Sequence, residues 1–198
     1  GKTAIGGADS TGLDNIALGR NTLDALTTGH CNIALGIGSL GASTTGCYNI
    51  ALGCGALGGG DVTANFNVAI GASAHHGATT GGCNVAIGYT ALNQMTIGIK
   101  NVAIGTNAMV GITTGQADGN IAIGIDAMKG AAGTTGNYNI AMSDGALCAI
   151  TTGSDNIALG RAAGDSVTTQ SCITNIGFNT DSTTENTTCN RGPCLMAA

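Results

Sequence analysis

The side chains able to do chemistry are few and dispersed. The 198 residues include eight Cys, three His and eleven Asp and Glu. Metal-ligating types stand side by side only at His30-Cys31 and His75-His76, which fall in different repeat units, and no Cys spacing matches a zinc or redox motif. The acids Asp9, Asp14, Asp24, Asp61, Asp118 and Asp126 are scattered, with no nucleophile beside a base and no paired carboxylates. Gly36-Ile37-Gly38 and Gly53-Cys54-Gly55 lack the following Lys-Ser/Thr of a phosphate loop and read as turns. We therefore expect no enzyme, no cofactor and no metal.

Disulfide chemistry is the remaining option. Cys31 and Cys47 precede neighbouring copies of a repeated Asn by one and two residues, so stacked coils are expected to bring them within disulfide reach. Cys189 and Cys194 flank Gly192-Pro193 and are expected to close a small loop, whereas Cys54, Cys83, Cys148 and Cys172 have no evident partner. Eight cysteines favour an oxidising compartment, and the expected location is extracellular, on a cell or virion surface.

What positions these residues is a repeat. Asn-(Ile/Val)-Ala-(Ile/Leu)-Gly recurs at Asn15, Asn32, Asn49, Asn67, Asn84, Asn101, Asn120 and Asn156, with Asn139-Ile140-Ala141-Met142-Ser143 as a variant. Lys2-Thr3-Ala4-Ile5-Gly6 and Asn175-Ile176-Gly177 read as degenerate copies at the two ends. A small residue and then Leu or Met follow the Asn by seven and eight positions, as in Ala56-Leu57 and Ala108-Met109. A Thr-Thr-Gly turn, such as Thr44-Thr45-Gly46, then closes the unit. Units of 17 to 19 residues are too short for helical or leucine-rich repeats, and their apolar segments alternate with period two. The expected fold is all-β: a parallel β-solenoid, a β-roll or β-helix of about 10 to 11 coils at about 4.8 Å spacing.

Composition agrees. Aromatic residues make up 3% and charged residues 9%, while there are 35 Gly and a single Pro. A core without large rings must be narrow and repetitive, and the wealth of Ile, Val and Thr argues against disorder. Six Lys and Arg against eleven Asp and Glu, with no basic cluster, leave no phosphate-tracking surface for nucleic acid. No apolar run is long enough for a membrane-inserted helix, no charged-then-apolar leader is present, and a first residue other than Met suggests a processed or partial chain.

In Asn15-Ile16-Ala17-Leu18-Gly19, alternation sets Ile16 and Leu18 on one face and Ala17 on the other. Ile and Leu are expected to line the core. The constant small column, Ala17, Ala34, Ala51, Ala69, Ala86, Ala103, Ala122, Ala141 and Ala158, is then the candidate interface, packing against a further chain or against a second sheet of the same coil. The Asn column is expected to be a structural ladder, its amides bonding along the rod or to the turns.

The Asn-x-Ala-x-Gly strand from Asn15 to Gly19 and its successors, with the small-Leu and Thr-Thr-Gly segments, resembles the head repeats of trimeric autotransporter adhesins and similar repeats of phage tail fibres, over roughly residues 1–178. The resemblance implies a parallel β-roll, trimerisation and attachment to surfaces. This chain differs in its longer units and many Cys, and it shows no coiled-coil stalk. The expected function is an extracellular structural or adhesive fibre or filament subunit, partnered by copies of itself, side by side or end to end, and by a host-surface receptor or glycan. The alternative is an ice- or glycan-binding solenoid with a regular Thr/Asn face. Residues 179–198, polar and Cys-containing, are expected to cap or join the rod of residues 1–178.

Overall fold

A computed structural model of the chain describes residues 11–112, 117–130 and 134–182, together with the backbone of 188–189. The repeated pentapeptides form ten three-residue strands: β1 (Ile16–Leu18), β2 (Ile33–Leu35), β3 (Ile50–Leu52), β4 (Val68–Ile70), β5 (Val85–Ile87), β6 (Val102–Ile104), β7 (Ile121–Ile123), β8 (Ile140–Met142), β9 (Ile157–Leu159) and β10 (Thr174–Ile176). A two-residue strand, β11 (Thr188–Cys189), follows. They pair in sequence order, all parallel and in register, Ala17 beside Ala34 and Ala34 beside Ala51. The fold is a parallel β-solenoid, and nine coils lead from β1 to β10. No helix occurs among the described residues.

Hydrogen bonds join the coils beyond the strands as well. Leu40 N–H donates to Ala56 O at 3.0 Å, and Thr27 N–H donates to Thr44 O at 2.9 Å. The backbone polar groups of the corners are thereby satisfied without helices. Each of β1 to β10 is followed by a residue with φ between 106° and 140°, a Gly in every case but one, as at Gly88 (φ 135°). A Cβ at Gly88 would lie 2.5 Å from Gly105 O, so both the backbone conformation and the coil spacing require glycine.

The core is inverted relative to the expected strand parity. Ala34, Ala51, Ala69, Ala86, Ala103, Ala122, Ala141 and Ala158 are fully buried inside the coil, with Ala17 half-buried at the end. Ile16 and Leu18 and their counterparts point outward. The Ala column therefore packs within its own coil and not against a further chain. Two constraints set this parity. The Asn shares a face with the Ala, and its amide must reach the end of its own coil across the interior. The same interior already holds Leu23, Leu40, Leu57, Leu92, Met109, Met128 and Leu147, with Leu26, Met95, Ile112 and Ile150, so that only a methyl fits opposite.

The last strand also departs from the expected pattern. Asn175 pairs with Ala158 and so stands in the Ala column, while Ile173 takes the place of the repeated Asn. The coil step is 17 residues, as Thr174 pairs with Ile157, and Asn175 lies buried with neither amide atom partnered among the described residues.

Candidate functional site

The nine repeated Asn form one continuous ladder. Each Oδ1 accepts the backbone N–H of the next residue in its column: Asn15 from Asn32, Asn32 from Asn49, and so on to Asn156, whose Oδ1 accepts from Ile173 at 2.9 Å. Each Nδ2 donates to a corner carbonyl at the end of the same coil, as from Asn32 to Gly46 at 2.8 Å, Asn49 to Ala64 at 2.9 Å and Asn139 to Gly153 at 2.9 Å. One side chain thus closes its coil and ties it to the next. Asn32 to Asn156 are fully buried, so the ladder is structural.

The outward face of the sheet is apolar from end to end. Of the two outward residues in each of β1 to β10, none is charged and only Thr174 is polar. At the first strand Ile16 is 56% and Leu18 70% exposed, and Leu35, Ile70, Met142 and Ile176 remain exposed along the rod. Two residues after the strands, Tyr89 and Ile125 are exposed as well, in a column that also carries Arg20, Asp144 and Arg161, the last 4.3 Å above the Phe178 ring.

A second concentration of functional types lies at the corner before the Asn. Cys47 Sγ is 3.1 Å from His30 Nδ1, the edge of His30 meets Tyr48 with ring centroids 5.3 Å apart, and Tyr48 stacks on Phe66 at 5.1 Å. Cys31 does not face Cys47. The residues immediately before the Asn form one column, in which Tyr48 follows Cys31, whereas Cys47 belongs to the adjacent column with His30 and Asn65. The one-residue offset separates the two thiols, and Cys31, Cys47, Cys54, Cys83, Cys148 and Cys172 are all free. The expected Cys31–Cys47 disulfide is thus absent. The side chains of Cys189 and Cys194 lie outside the described residues.

His75 occupies a Leu position of the interior. It is fully buried with both ring nitrogens unpartnered, and burial lowers its pKa to about 4. His76 packs instead over Gly55 and Gly59 of the preceding coil. Among the described residues no group of three or more His, Cys, Asp or Glu is placed to hold a metal ion, and no helix is long and apolar enough to cross a membrane. The first Thr of several turns is engaged by the ladder: Thr27, Thr79 and Thr151 donate their hydroxyls to the carbonyls of Thr44, Thr96 and Thr168.

The missed features had a signal. The outward Ile, Val and Leu columns were visible as the strand residues flanking Ala, and the corner column of Cys31, Tyr48, Phe66 and Cys83 as the residues before each Asn. No protein-family model matches the chain, and no curated protein or solved structure matches it either.

Proposed function

We propose that the chain is the rod of an extracellular fibre, structural or adhesive, whose copies associate side by side through the outward face of β1 to β10. One observation carries this reading: twenty outward positions on ten aligned strands hold no charge. Ten strands at about 4.8 Å form a patch about 45 Å long, larger than a solvated single chain ordinarily exposes. Its ridges recur once per coil, so the surface that interdigitates with it along its whole length is one with the same period, namely another copy. Cyclic association of parallel copies places the apolar faces around an axis and keeps the polarity a fibre needs. Three copies is the number implied by the resemblance to trimeric adhesin heads and tail fibres. The rod itself supplies stiffness through its hydrogen-bonded coils and the buried Asn ladder.

Cryo-electron microscopy of the assembled protein tests the reading. The expected reconstruction has several parallel rods with Ile87, Ile104 and Ile123 turned to a common axis. Rods meeting only end to end, with that face in solvent, would overturn it.

A further inference from the structure

The residues immediately before each Asn project from one corner at one-coil spacing. Tyr48, Phe66, Cys83 and Lys100 follow one another there, all with left-handed backbone (φ 58°, 62°, 60° and 59°), and all are exposed. The aromatic stack along this corner has a defined end. His30 covers the outer side of Tyr48 edge-on, and Tyr48 and Phe66 lie face to face with their planes within 6°. Beyond Phe66 the column continues with a short side chain, Cys83, preceded by Gly82, and then with Lys100. The far face of Phe66 consequently opens onto a cleft of about 320 Å³, lined also by Thr63, Asn65, Thr80, Cys83 and Lys100. Further along the same column the Tyr138 ring lies directly over Gly119.

We propose that this cleft binds an acidic pyranose unit of a glycan, stacked on Phe66 with its carboxylate toward Lys100. A pyranose offers a face of C–H groups carrying partial positive charge, which suits the negative face of an aromatic ring. It fills the level left by the missing third ring of the stack. Lys100, one of only six Lys and Arg in a chain of net charge −5, supplies the single cation at the cleft, which suits one carboxylate and not a polyphosphate. Thr63, Thr80 and Asn65 bring hydroxyl and amide groups to the rim, where ring hydroxyls need partners. The inference goes beyond the fibre reading, because the cleft is complete within one chain.

The test is titration of the full chain with trigalacturonate and with its methyl ester, followed by ligand-observed saturation-transfer NMR and by calorimetry. Trigalacturonate is expected to bind with signal transfer from the Phe66 and Tyr48 rings, and the uncharged ester to bind about tenfold more weakly. Cys83→Tyr fills the level of the missing ring and should abolish binding. The substitution suits the backbone, since Tyr48 and Tyr138 adopt the same left-handed conformation in this column. Phe66→Ala should weaken binding at least about tenfold, and Lys100→Met should remove the preference for the acid over the ester. Tyr138→Ala should change nothing. Absence of trigalacturonate binding, equal binding of acid and ester, or undiminished binding by a folded Cys83→Tyr variant would each overturn the proposal. Light scattering on the same samples reports self-association separately, so failure of the glycan site is distinguishable from failure of the fibre reading.

Discussion

Asn32 Oδ1 accepts the backbone N–H of Asn49 at 2.9 Å while Asn32 Nδ2 donates to Gly46 O at 2.8 Å, so a single buried amide fastens one coil to the next and shuts its own. The chain has few other means of defining a coil. It has almost no aromatic core, and the ion pair of Lys129 with Asp126, at 3.7 Å, is too exposed to matter much. Stability must therefore be concentrated in the ladder and in the narrow column of Leu, Met and Ala beside it.

Truncating a ladder Asn tests this. In Asn84→Ala the Gly98 carbonyl and the Asn101 N–H lose their partners in the interior. Each such buried group costs about 1–3 kcal/mol, so the variant is expected to lose about 2–5 kcal/mol by urea unfolding. A loss below about 0.5 kcal/mol, the size of a neutral surface change, would show that water replaces the amide.

The residue closing each strand gives a paired prediction. Gly88→Ala places a methyl against Gly105 O in a backbone region that L-residues avoid, and should destabilise by more than about 2 kcal/mol. Ser143 already occupies that position with φ 106°, and Ser143→Gly should raise stability by about 1 kcal/mol. Opposite signs in thermal melts are the expected outcome.

His75 makes the rod acid-sensitive. Its folded pKa is lowered to about 4 by burial, against 6.5 for the free side chain, so the unfolded chain binds the proton first as pH falls. The contribution of neutral His75 is fully present above about pH 6.5 and is lost progressively toward pH 4, by about 3 kcal/mol at most. Carboxylates add their own acid dependence, so the comparison is with His75→Leu, which restores the residue found at Leu57 and Leu92 in the adjacent coils. Urea melts at pH 7 and pH 4.5 should show a smaller drop for the variant. Equal drops would contradict the assignment.

Thiol reactivity should rank by environment. Burial, then the charge of Asp165, raises the Cys148 pKa, with Asp126 adding and Lys129 opposing. The thiolate is the reacting species, so at pH 8 Cys148 should alkylate more slowly than exposed Cys54, Cys83 and Cys172. Peptide mapping by mass spectrometry after brief iodoacetamide treatment checks the order, and Asp165→Asn should accelerate Cys148.

The solenoid was legible because its punctuation is written in residue types: Asn before each strand, Gly after it, and Thr-Thr-Gly at the corner. The facing of the strands was not. Period two divides Ile16 and Leu18 from Ala17 equally well whichever set is inside, and hydrophobicity favours the wrong set. The decisive fact is the reach of the Asn32 amide across the coil to Gly46, a contact between residues whose proximity is known only once the coil is closed. The same geometry explains the failed Cys31–Cys47 pairing, since adjacency in stacked coils follows column and not nearness to the repeat. Asn175 misled for a related reason, its Asn-Ile-Gly imitating the repeat while Ile173 holds the ladder position.

The most direct test of the account is the solution mass of the wild-type chain and of the double variant Ile87→Glu, Ile104→Glu by multi-angle light scattering. The wild type is predicted to elute as an assembly of several copies. The variant, with two carboxylates on the outward face of β5 and β6 and the Asn ladder untouched, is predicted to elute as a single chain with an unchanged circular dichroism spectrum. A wild type that stays a single chain at high concentration, with Ile87 and Ile104 freely solvated, would contradict the claim that this face is where copies of the rod meet.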